Sequence, residues 1–104
     1  MPRLAISEKT RFLVARMFPL TEQPAVVDLL ETRCGADLPL ISADMSPLLE
    51  RIRFAVLKLA DRSLPALRRA VVVANSDWRD VLVAAGFADS LTAHESWFNE
   101  RMSG

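Results

Sequence analysis

Apolar residues recur along the chain at spacings of three and four, the period of a helix with one buried face, and caps or breakers punctuate the runs. Six helical segments are read this way. The first begins near Ser7, carries Phe12, Leu13, Arg16 and Met17, and stops at Phe18-Pro19, because a residue ahead of proline is pushed out of the helical region. The second starts with Thr21 as its N-cap and buries Val26, Leu29 and Leu30. It ends at Cys34-Gly35, where the glycine is expected to take the left-handed conformation of a helix end. Residues 35–46, GADLPLISADMS, form a long connection. Its Leu38, Leu40, Ile41 and Met45 are expected to pin it to the core, with a lid over a ligand as the functional alternative.

Ser46-Pro47 opens the third segment, an oxygen cap followed by a proline at the first helical position, and the helix runs to about Ala60. At about 100° per residue, Leu48, Leu49, Ile52, Ala55, Val56 and Leu59 form one broad stripe. Phe54 and Leu57 fall nearly opposite. A helix apolar on two sides either runs through the middle of a bundle or offers its second face to a partner. Ser63 caps a fourth helix containing Leu64, Leu67, Val71 and Ala74. Its AVVVAN run at 70–75 has a strand-like β-branched character, but nothing else in the chain pairs with it, so it reads as helix.

The fifth segment, SDWRDVLVAAGF at 76–87, looks at first like a site and fits a helix start instead. Ser76 or Asp77 supplies the N-cap oxygen. Asp77 and Asp80 sit in the first turn, where the helix dipole favours negative charge. Trp78, Val81, Leu82 and Ala85 stand on one face, Gly86 ends the helix, and Phe87 makes the contact that accompanies such an ending. Trp78 thus reads as a core residue whose truncation costs about 3–5 kcal/mol. Arg79 alone lacks a structural role, and with Asp80 it is a candidate binding pair. The sixth helix follows Thr92-Ala93-His94-Glu95, a capping-box pattern, with His94, Trp97, Phe98 and Arg101 on one side. The expected fold is all-α, a compact bundle of five or six short helices in a single domain over residues 1–104.

Composition adds limits. With half the residues apolar and a quarter charged, 104 residues can bury a core without staples. Thirteen basic and thirteen acidic residues cancel, so there is no long-range attraction to nucleic acid or anionic lipid. Cys34 is the sole cysteine, which excludes an internal disulfide. Charges interrupt every apolar run of the first 18 residues, which therefore do not read as a secretory leader. No stretch approaches the roughly 20 apolar residues of a membrane span, so the expected compartment is the cytoplasm.

The pieces ERIRFAVLKLADRSLPAL and NSDWRDVLVAAGF resemble a group of small uncharacterised bacterial proteins. These share an arginine-rich A-[IV]-L-K-L helix followed by a D-[WY]-R-D helix start, here Ala55 to Leu59 and Asp77 to Asp80. The resemblance spans about the latter half of the chain. It implies a compact helical domain of bacterial type, and no catalytic residue, cofactor or partner comes with it.

Candidate chemistry is sparse. His94 is the only histidine, and HESWF lacks the second histidine of a zinc helix, so it reads as a packed or rim residue, with a proton carrier beside Glu95 or Asp89 as the alternative. Cys34 sits at the negative end of a helix dipole, which opposes a thiolate. Three glycines cannot build a phosphate loop, and neither Asp77 with Asp80 nor Glu95 with Glu100 has a catalytic spacing. No catalytic, metal or cofactor residue is assigned.

The expected function is that of a non-enzymatic interaction module or homo-oligomer working through a surface that includes Phe54, Leu57, Arg79 and Asp80. The alternative is nucleic-acid binding through Arg51, Arg53, Lys58, Arg62, Arg68 and Arg69, although Glu50 and Asp61 dilute that cluster and the ADRS link lacks the glycine often found in a helix-turn-helix. A hydrolase or transferase using His94 comes third.

Overall fold

The computed structural model describes residues 4–35, 38 and 46–103. Among the described residues five helices follow one another: α1 (Glu8–Met17), α2 (Gln23–Arg33), α3 (Ser46–Ala60), α4 (Leu64–Ala85) and α5 (Ala93–Ser103). No strand occurs among the described residues, and residues 70–75 are helical. The all-α expectation holds. The radius of gyration of 12.3 Å matches the roughly 13 Å of a folded chain of this length.

Several ends form as their residues dictate. Ser7 caps α1, its Oγ accepting from the Thr10 amide at 3.1 Å. Ser63 caps α4 in the same way, accepting from Ala66 at 3.3 Å. Asp77 interrupts α4 with φ −160° and ψ 104°, so α4 is two helices end to end, at 64–76 and 78–85. Its Oδ1 accepts from the Arg79 amide at 3.1 Å, the capping bond expected of an aspartate at an N-cap. Gly86 closes α4 at φ +80°, and Phe87 beyond it is buried.

Other ends differ. The residue ahead of α2 is Glu22, without a side-chain cap, where Thr21 was expected to serve. Gly35 is not left-handed; its smallness matters because a Cβ there would stand 3.1 Å from the Glu31 carbonyl and 3.3 Å from both Arg53 and Leu4. The capping box at Thr92 is replaced by a local pair: Ser90 Oγ accepts from the Thr92 amide at 3.2 Å, and the Thr92 carbonyl takes the Glu95 and Ser96 amides. On α1 the buried side is Thr10, Leu13, Val14 and Met17, and Phe12 lies 53% exposed. Whether Ser46 caps α3, and whether the 35–46 connection acts as a lid, concern mostly positions outside the described residues. Gly35 and Leu38, which are described, are buried.

The bundle is organised on α3, which packs against α1, α4 and α5. Ile52, Arg53, Phe54, Ala55, Val56 and Leu57 are all buried. Six consecutive residues cover more than a full helical turn, so this stretch is enclosed on every side. Phe54 and Leu57 are therefore core residues and not the exposed second face expected of them. At Phe54 the reason is α5, which returns across α3. Phe98 stacks on Phe54 at 5.6 Å between ring centroids, and His94 and Trp97 meet it edge-on at 5.5 and 6.1 Å.

Candidate functional site

The cations of α3 are spent on backbone carbonyls. Arg53 is buried, with Nε donating to the Cys34 carbonyl at 3.0 Å, Nη1 to Ala5 at 2.9 Å and Nη2 to Leu4 at 2.6 Å. It binds the chain entering α1 to the end of α2. Burial pulls its pKa down. The Cys34 thiol beside it is itself pushed up to about 12 by burial, so it carries no charge at neutral pH, and the compensating charges are the Glu31 and Glu50 carboxylates. Glu31 also accepts from the Ile6 amide at 2.9 Å, and its carbonyl accepts from Leu4 at 3.1 Å. Arg51 donates through Nη2 to the carbonyls of Phe87 and Ser90, fixing the turn after α4. Lys58 donates to the Ala85 carbonyl at 2.7 Å, over the Phe87 ring, where a cation suits a helix C-terminus.

Three residues of the candidate nucleic-acid cluster, Arg51, Arg53 and Lys58, thus hold the fold together. Their acceptors are carbonyls, which carry no sequence signature. Arg62, Arg68 and Arg69 remain exposed, the first at the turn after α3 and the others on α4.

Of the candidate binding pair, Arg79 and Asp80 are both exposed, and Arg79 is engaged by Asp77, Nε to Oδ1 at 3.0 Å. The Arg79 side chain, then its amide, hold the Asp77 carboxyl below its ordinary range. Arg79 also lies over Trp78, 6.0 Å from the ring centroid. Trp78 is only half-buried, packed against the core at the first position after the break at Asp77. Trp78→Ala is therefore expected to cost about 1–2 kcal/mol, not the larger penalty of a sealed indole. Arg79→Ala should leave the unfolding midpoint nearly unchanged, as the loss of an exposed ion pair does. Urea unfolding of the two variants checks both.

His94 is 6% exposed and lies along a cleft of about 380 Å³ with Pro47, Leu48, Glu50, Arg51, Leu91 and Glu95. Its Nδ1 is buried without a hydrogen-bond partner. Desolvation lowers its pKa, against the upward pull of Glu95 and Glu50, so the imidazole is neutral at pH 7. A neutral imidazole near carboxylates can pass a proton, but no hydroxyl or thiol lines the cleft among the described residues, and no metal-binding cluster occurs among them.

A second depression, of about 250 Å³, lies between α2 and α4. Leu29, Val71 and Val72 form its floor, Arg33 and Arg68 flank it, and Asn75 closes one end by donating to the Arg33 carbonyl at 2.6 Å. Val72 is 65% exposed. An exposed valine inside a helix serves neither helix propensity nor solubility. Hydrophobic periodicity did not single this groove out, because it is assembled from two helices more than thirty residues apart in the chain; the β-branched run AVVVAN was its only local signal.

No protein-family model, curated protein or solved structure matches this chain. No helix among the described residues is long and apolar enough to cross a membrane.

Proposed function

We propose that this protein is a non-enzymatic interaction module, and that it receives an acidic amphipathic helix of a partner protein in the groove between α2 and α4. One observation carries the reading: an apolar floor containing the exposed Val72 lies between two guanidinium groups, Arg33 and Arg68, with no acidic side chain in the lining among the described residues. A partner helix with leucines on one face and carboxylates beside them satisfies both halves of that pattern. The working surface is thus placed on Leu29, Val71 and Val72, since Phe54 and Leu57 lie inside.

The test is a methyl NMR titration of the full chain with a designed leucine–glutamate helical peptide and its leucine–lysine counterpart. The acidic peptide is expected to shift the Leu29, Val71 and Val72 methyls saturably. Arg68→Glu should weaken it by about tenfold or more, the scale of one charge-assisted contact. Equal shifts with the basic peptide, no shifts with either, or methyl shifts that depend only on the protein's own concentration would each defeat the proposal, the last by making a second copy the occupant.

A further inference from the structure

A third cavity, of about 390 Å³, lies near the ends of α1, α3 and α5 and is lined by Arg16, Met17, Arg62, Glu100 and Arg101. We propose that it is a binding site for a small phosphomonoester, held by the guanidinium groups of Arg16, Arg62 and Arg101. This site is independent of the α2/α4 groove.

Three arginines reach the cavity from three separate parts of the chain: the last turn of α1, the turn between α3 and α4, and the last turn of α5. Such convergence is not a product of one helix's charge pattern. Arg16 and Arg62 make no ion pair with any described residue, and Arg101 has only a long contact, 3.8 Å, to the exposed Asp61. The Arg101 Nε is buried without a hydrogen-bond partner. Its guanidinium stacks on Trp97 at 5.7 Å from the ring centroid, which fixes the plane of the fork. Planar forks from three directions match the oxygens of a tetrahedral phosphate better than point charges do.

The side chains around the cavity carry a small positive excess. Glu100 in the lining and Asp61, 3.8 Å from Arg101, oppose two of the three cations, leaving one positive charge in excess among these side chains. The helix C-termini nearby contribute negative partial charge, each worth less than a full guanidinium, and the N-terminus of α4 directly after Arg62 and Ser63 contributes the opposite sign. Met17 provides an apolar wall, so a phosphate carrying an organic group fits better than the bare ion. The volume is in the range of small-molecule sites.

Arg62 supplies a second line of support. It stands at φ +71°, directly after Asp61 at φ +46°, in a region where glycine is the comfortable residue. A side chain retained at a backbone that disfavours it points to a use for that side chain.

That backbone also provides the decisive variant. Arg62→Gly relaxes the turn and should raise the melting temperature, while removing one of the three forks. The experiment follows the arginine Nε–H resonances of the full chain during titration with phenyl phosphate, inorganic phosphate and, at matched ionic strength, chloride. Phenyl phosphate is expected to shift Arg16, Arg62 and Arg101 saturably and to bind more tightly than inorganic phosphate. Arg62→Gly and Arg16→Gln, each still folded by its amide spectrum, should each weaken binding by about tenfold. Identical responses to chloride, tighter binding of inorganic phosphate than of its phenyl ester, or phenyl phosphate affinity unchanged in both variants would overturn the proposal.

Discussion

Arg53→Met is expected to lower the free energy of unfolding by about 3–5 kcal/mol, a large share of the roughly 5–15 kcal/mol that holds a domain of this size. Methionine keeps much of the stem's volume, so the loss isolates the guanidinium. Three carbonyls, on Leu4, Ala5 and Cys34, would be left without their charged donor, and Glu31 and Glu50 without the nearest buried cation. A hydrogen bond to a charged group contributes about 1.5–3 kcal/mol, and a buried acceptor left unpaired costs its full desolvation. Arg53→Lys should recover only part, because one ammonium cannot span acceptors on two chain segments as a planar fork does. Urea unfolding measures both; an unchanged midpoint in Arg53→Met would show the cluster to be ornamental.

Phe54→Ala is expected to cost a similar amount, about 3–5 kcal/mol, by leaving a cavity beneath the aromatic side of α5. Phe54 is 1% exposed and touches the rings of His94, Trp97 and Phe98 within one chain. The loss should therefore be the same at every protein concentration. If Phe54 instead met a second copy, the penalty would grow with concentration, since linkage to association makes stability concentration-dependent.

The burial of Phe54 marks where sequence reading stops. Periodicity identified the helices because their signals are local: Ser7, Ser63, Asp77 and Gly86 each act within a few residues of themselves. What covers the second face of α3 is not local, since α5 arrives from about forty residues away, and an uncovered stripe and a doubly covered one share the same pattern. The arginines failed for a related reason. Arg51 and Arg53 resemble a solvated or phosphate-binding border until the carbonyls of residues 4, 5, 34, 87 and 90 are brought to them. Trp78 shares the stripe of the buried Val81, Leu82 and Ala85, but it stands at the first position after the break at Asp77 and is only half-buried, a difference in depth that periodicity does not carry. The groove at Val72 and the cavity at Arg62 are both assembled from helices that only the tertiary fold brings together.

With α3 as a buried axis whose cations anchor the neighbouring segments, the entering chain should be protected in native-state hydrogen exchange. Residues 4–7 belong to no helix, yet the Leu4 and Ile6 amides donate to Glu31, and Arg53 holds the Leu4 and Ala5 carbonyls. These two amides should exchange as slowly as those at the centre of α3, and in Arg53→Met they should lose protection before the amides of α5. Exchange of Leu4 and Ile6 at the rate of an unstructured chain in the unaltered protein would contradict an anchoring role for Arg53 and Glu31.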